Sequence, residues 1–146
     1  MTYLLDINVL IALFDAAHVH HEPAHRWFAA VGKPSWATCS VTESGFIRVI
    51  SNPAYKAVSA TPAEAADRLR IFCSDPGHQF WPDVLSILDA TAFDLTRLQG
   101  HQQITDAYLA GLALHHGGKL ATFDASIPVA ALIGGKSDSV EVIPAT

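Results

Sequence analysis

The sequence predicts an α/β fold in which a mostly parallel central sheet carries helices on both faces. Three observations carry that reading. The segments "TYLLD", "PSWATCS" and "KLATFD" are short and almost continuously apolar, as strands buried on both faces are. Between them lie segments with helical periodicity and helix-start signals, so strands and helices alternate along the chain. The chain has 146 residues, 50% of them hydrophobic, which is enough for one sizeable core and a single domain over residues 1–146.

From the N-terminus, "TYLLDINVLIALF" is a strand running into a helix. Asp6 falls near the strand's C-terminal end, and Asn8 is placed to help cap the helix. "EPAHRWFAAV" is a helix with Pro23 at its first position and Gly32 just past its end. "PSWATCS" is a short strand. "SVTESGFIRVIS" is a helix with Val41, Phe46 and Ile50 on its apolar face, and "NPAYKAVSA" is a loop. "TPAEAADRLRIFCS" has the clearest helix start: Thr61 as cap, Pro62 at the first position and Glu64 three residues after Thr61. "PGHQFWPD" is a turn and a short strand, and residues 84–98 read as one or two short helices. "QITDAYLAGLALHHGG" is a strong helix stopped by Gly117-Gly118. "KLATFD" is a buried strand ending in an acid, and "VEVIPA" a last, edge-like strand. There is no internal repeat, low-complexity tract or linker.

Composition narrows the function. Net charge is −5, so the chain as a whole is not a basic nucleic-acid sleeve, and a nucleic-acid ligand needs a local basic patch, a metal or another subunit. The two cysteines, Cys39 and Cys73, form no CxxC pair and read as buried thiols of a reducing compartment. The N-terminus lacks a basic leader pattern, and the apolar run 7–14 is too short to span a membrane. These features predict a soluble, cytoplasmic protein. No glycine-rich nucleotide loop and no G-x-S-x-G elbow is present.

Four carboxylates sit beside apolar residues at a strand end or helix start: Asp6, Glu43, Asp106 and Asp124. Each has a plain reading. Asp6 suits a cap at a strand–helix junction, Glu43 and Asp106 are acids favoured by a helix dipole, and Asp124 suits a turn. Asp75, Asp83, Asp89 and Asp94 read as solvated turns and caps. A parallel sheet, however, binds ligands at the C-terminal ends of its strands, where Asp6 and Asp124 both fall. Gathered carboxylates need shared protons or a cation. Oxygen ligands without cysteine suit Mg²⁺ or Mn²⁺, and that chemistry suits phosphodiester cleavage.

The histidines offer a rival metal reading. His18, His20, His21 and His25 lie within eight positions, and His21 and His25 have the i, i+4 spacing that holds zinc on a helix. Pro23 as the helix start spoils that geometry, and no H-E-x-x-H motif is present. The histidines are therefore expected to cap, pack or lie near a ligand. Trp36 reads as a strand-lining core residue, with base stacking as the alternative.

Taken together, "LLDINVLIAL", "TESGFIRV", "ITDAYLAGLAL" and "LATFDASI", in that order, resemble the PIN domain, and more narrowly the VapC ribonuclease toxins of bacterial toxin–antitoxin pairs. "HVHHEPAHRWF" also resembles the segment after the first helix in many such toxins. The resemblance spans nearly the whole chain. It implies a three-layer α/β/α fold and a metal-dependent endoribonuclease, with Asp6, Glu43, Asp106 and Asp124 around Mg²⁺ or Mn²⁺ and Asp6 and Asp106 as its first direct ligands. It also implies an RNA substrate, a homodimer and a cognate VapB-like antitoxin that covers the site. Two rivals remain. One is a non-catalytic PIN-like module that binds RNA or protein. The other is a haloacid-dehalogenase-type phosphatase, which wants D-x-D where this chain has "DIN".

Overall fold

Leu4 and Leu5 set the plan of the molecule. They are consecutive, fully buried residues of β1 (Tyr3–Leu5), and they enter two different apolar clusters on opposite faces of the sheet. A strand buried on both faces needs helices above and below it. The computed structural model, which describes residues 1–146, has that arrangement.

After β1 come α1 (Ile7–Phe14), α2 (His21–Trp27, prolonged by a wider turn over Phe28–Gly32), β2 (Trp36–Cys39), α3 (Ser40–Ile50) and α4 (Pro62–Phe72). Beyond these lie β3 (His78–Trp81), α5 (Ile104–His115), β4 (Lys119–Thr122) and β5 (Val140–Val142). The sheet order is β3-β2-β1-β4-β5, and every neighbouring pair is parallel. The α/β class is as predicted, with a wholly parallel sheet, and β5 is an edge strand. Leu5, Val9, Trp36 and Phe46 belong to the cluster under α1–α4, while Leu4, Trp81, Leu109 and Leu120 belong to the cluster under α5. Each such buried side chain contributes about 1.5–3 kcal/mol. Trp36 is fully buried against Phe72, with ring centroids 4.6 Å apart, so it is core and no base platform. No helix is long and apolar enough to cross a membrane.

The predicted start of α4 is present in full. Thr61 Oγ1 accepts from the Glu64 N–H at 3.1 Å, and Glu64 Oε1 accepts from the Thr61 N–H at 3.1 Å. The stop after α5 is also present: Gly117 has φ +73°, which a side chain would disfavour.

Three expectations need correction. Residues 84–98 are turns with a single 3₁₀ turn at Leu95–Arg97, not helices. Ser86, Asp89 and Asp94 capture the N–H groups of Leu88, Thr91 and Thr96 with their own side chains, which competes with helix formation. Helix α2 begins at His21, not Pro23. Its first-turn N–H groups have no intrahelical partner, so a proline third in the helix loses nothing. Asp75 is not merely solvated. It takes Lys33 Nζ at 2.7 Å and Trp36 Nε1 at 3.0 Å, and these bonds pull its carboxyl down to about 2.

Candidate active site

Because β1 has β2 on one side and β4 on the other, the chain leaves it in opposite directions, and a crevice opens at the C-terminal ends of β1 and β4. Asp6 directly follows β1. Asp124 lies two residues after β4, and Asp106 is the third residue of α5. All three line one hollow of about 430 Å³, together with Asn8, His18 and Tyr55. Asp106 and Asp124 also line a wider, wholly polar hollow of about 640 Å³ beside Gln99–Gln103 and Ser126. The shared carboxylates make the two volumes one trough. A separate apolar cavity of about 210 Å³ between Leu10, Phe14, Phe46 and Phe72 contains no carboxylate.

Asp6 is 6% exposed and caps α1, its Oδ1 accepting the Ile7 N–H at 2.7 Å. Its Oδ2 accepts the hydroxyl of the fully buried Thr122 at 2.7 Å. The same Thr122 oxygen accepts Asn8 Nδ2 at 3.2 Å and the Asp124 N–H at 3.1 Å. Asn8 Oδ1 accepts the Phe123 N–H at 3.4 Å, so Asn8 ties α1 to the end of β4 and does not cap the helix. Asp124 Oδ1 accepts the backbone N–H and the hydroxyl of Ser126 at 2.8 and 2.6 Å. Asp106 is partly buried and makes no hydrogen bond with its carboxylate.

The electrostatics are those of an unanswered acid cluster. Burial pushes the Asp6 carboxyl up, and the Asp124 charge adds to that push. Asp106 rises to about 6, first from burial and then from the charges of Asp6 and Asp124. None of the three forms an ion pair; the lysines and arginines that do pair take Asp75, Asp67 and Asp94.

Glu43, the fourth acid expected here, stands elsewhere. It lies in the first turn of α3 but lines neither hollow of the trough. Its Oε2 accepts the Thr38 hydroxyl at 2.7 Å, and its neighbours are Cys73 and His78. The α3 face toward the aspartates is made instead by Gly45, against Ile7, and by Val49 at the hollow.

The histidine cluster is structural for the most part. With α2 starting at His21, the His21 and His25 rings do meet, 4.4 Å apart. One nitrogen of each ring is tied to the backbone: His21 Nδ1 lies 2.8 Å from the Ala12 carbonyl and His25 Nε2 2.7 Å from the Leu13 carbonyl. The pair covers the open end of α1. His18 alone reaches the trough, its Nδ1 accepting the His20 N–H at 3.0 Å.

The PIN domain family model matches residues 3–132, which contain all three aspartates. The chain belongs to the PIN-domain family. Within it, the relatives are VapC proteins. Ribonuclease VapC39 of Mycobacterium tuberculosis is 44% identical over 92% of this chain and 96% of its own length. Ribonuclease VapC44 of the same organism is also 44% identical, over 92% of this chain and 94% of its own. Among solved structures, the sarcin-ricin loop cleaving toxin VapC20 of Mycobacterium tuberculosis shares the fold. Its TM-score is 0.64 at 17% identity, covering 97% of this chain and 99% of that one. A toxin–antitoxin complex from Klebsiella pneumoniae aligns with TM-score 0.58 at 18% identity, over 86% of this chain and 88% of that one.

PIN-domain ribonucleases generally use a divalent metal. The trough fits one: its donors are carboxylate oxygens, no cation offsets them, and the Asp106 carboxylate has no other partner. Three contributors to this PIN site carry no motif of their own. Thr122 resembles any strand threonine, and Tyr55 sits in a stretch that reads only as loop. Asp15, which anchors Tyr55 beside the trough at 2.5 Å, stands just past a helix end as many acids do.

Proposed function

We propose that this PIN domain is a Mg²⁺- or Mn²⁺-dependent endoribonuclease and the toxin of a toxin–antitoxin pair. It hydrolyses RNA phosphodiester bonds in the cytoplasm. The observation that supports this reading best is the convergence of Asp6, Asp106 and Asp124 on one hollow with no cation of the protein's own. Asp6 and Asp106 would hold the ion directly, and Asp124 directly or through water. When bound, the ion supplies Lewis-acid chemistry: it acidifies water and offsets charge on the phosphate oxygens. The protein's part is to fix the donors. Thr122 and the Ile7 N–H hold the Asp6 carboxylate, and Ser126 holds Asp124. The polar wall at Gln99–Gln103 is where the RNA strand would lie. A homodimer and a basic antitoxin segment seated over the acidic trough complete the reading.

The test is cleavage of total cellular RNA by purified protein with Mg²⁺ or Mn²⁺, with EDTA, and with Asp6→Ala. Discrete fragments that vanish with EDTA and with Asp6→Ala are the expected result. Folded, metal-loaded protein that cleaves nothing would overturn the enzymatic reading.

A further inference from the structure

The displaced Glu43 lies in a group of its own. Glu43 on α3, Cys73 at the end of α4 and His78 at the start of β3 each offer a metal-binding atom, and the three atoms lie within 4.8 Å of one another. All three residues are partly buried, and Cys73 is a free thiol. We propose that Glu43, Cys73 and His78 form a second metal site, for Zn²⁺ or a related transition ion, separate from the aspartate trough.

Donor chemistry separates the two sites. A thiolate, an imidazole and a carboxylate suit zinc, whereas carboxylates alone suit magnesium. Three protein ligands with a fourth position left to water is an established zinc pattern. With metal–ligand bonds of about 2.0–2.3 Å, tetrahedral ligand atoms stand roughly 3.3–3.8 Å apart. From an upper limit of 4.8 Å, small side-chain rotations close that distance. The surroundings are already arranged. Thr38 Oγ1 donates to Glu43 Oε2 at 2.7 Å and lies 2.7 Å from His78 Nε2, so one hydroxyl holds the two side chains together, and an ion would replace whichever of these contacts its ligand atom makes. Trp36 packs on the His78 ring at 4.7 Å and restrains it. A hollow of about 200 Å³ between Glu43, Cys73 and Arg70 gives an ion and its water access.

No cysteine spacing announces this site, because its ligands come from three elements. The parallel register sets Trp36 beside His78, and the packing of α3 on α4 brings Glu43 to Cys73. A bound ion fastens the end of α4 to the sheet edge.

The test uses Co²⁺ as a spectroscopic stand-in for Zn²⁺, on full-length protein carrying Asp6→Asn and Asp106→Asn to remove the first site. The expected result is one equivalent of Co²⁺ bound with a thiolate-to-cobalt charge-transfer band, displaced by one equivalent of Zn²⁺. Adding Cys73→Ser should abolish the band, and Glu43→Gln or His78→Gln should weaken affinity by more than about 100-fold, beyond the effect of a residue that only orients a ligand. Circular dichroism confirms that each variant is folded. A folded protein without the thiolate band overturns the proposal, as does a band indifferent to Glu43→Gln and His78→Gln. Because the trough aspartates are absent from the test protein, failure here leaves the ribonuclease reading intact, and the reverse also holds.

Discussion

Two buried aspartates bracket helix α1, and they differ in what surrounds them. Asp6 caps its N-terminus at 6% exposure, and Asp15 closes its C-terminus at 5%. Asp15 stands at the unfavourable end of the helix dipole. It is nevertheless held below the usual carboxylate range, chiefly by the Tyr55 hydroxyl at 2.5 Å and also by the Ala17 N–H at 2.9 Å. Tyr55 in turn is pushed up to about 12 by burial and by that carboxylate. Asp6 stands at the favourable end and accepts two good hydrogen bonds, yet burial drives its carboxyl up and Asp124 adds to it. Low exposure alone therefore does not distinguish the two acids. The partners do: the Tyr55 hydroxyl outweighs burial at Asp15, whereas at Asp6 burial prevails and the charge of Asp124 adds to it with no cation to offset either.

The contrast between the two acids is tested most severely at Asp6. Asp6→Asn is expected to lower RNA cleavage by about 10³-fold, beyond the roughly 10–100-fold typical of residues that only orient a ligand. The melting temperature of the metal-free protein should hold or rise, because the substitution removes a buried like charge. A folding defect with activity retained would make Asp6 another Asp15.

At Asp15 the opposite pattern is expected. Asp15→Ala orphans the Tyr55 hydroxyl and should cost about 2–3 kcal/mol in urea denaturation, with divalent-metal affinity unchanged. Its folded pKa lies below the ordinary value of 3.8, so its contribution is present above that pH and lost as pH falls through the folded value. The stability gap between wild type and variant should therefore narrow only in strong acid.

Thr122→Val tests whether orientation of Asp6 matters apart from its charge. It removes the hydroxyl at 2.7 Å but keeps the side chain's shape, and metal affinity by calorimetry should fall about 10–100-fold. The smallest effect belongs to Asp106. Its folded pKa is raised from 3.8 to about 6, so its stabilising contribution is full below 3.8 and lost as pH rises through 6. Metal-free wild type should lose stability between those values. Asp106→Asn should flatten that slope and be about 1–2 kcal/mol more stable at pH 7, after allowance for solvent screening of a partly exposed group. Saturating Mg²⁺ should reverse the ranking.

Much of this molecule is legible from residue order. The Thr61-Pro62-Glu64 start, the glycine stop after α5 and the strand-end positions of Asp6 and Asp124 depend on contacts within a few residues. The structure departs from that reading where side chains compete with the backbone or where helix phase matters. Residues 84–98 lose their helices to Ser and Asp side chains, and α2 absorbs Pro23 within its first turn. Glu43 is set apart from the aspartate hollow for a geometric reason: the α3 face toward Asp6 carries Gly45 and Val49, and Glu43 bonds to Thr38 instead.

Residue order alone sets the α/β alternation, the two-sided burial of the strands and the set of acids able to hold a cation. Apolar periodicity and capping are local, so they can be read along the chain. Which of those acids meet is settled by tertiary packing. Asp6 and Thr122 stand 116 positions apart and bond because β4 lies beside β1. Glu43 is much nearer to Asp6 in sequence, yet it joins Cys73 and His78 because the packing of α3 fixes its direction. Strand order and helix phase are set by the whole core at once, and no stretch of sequence contains them alone.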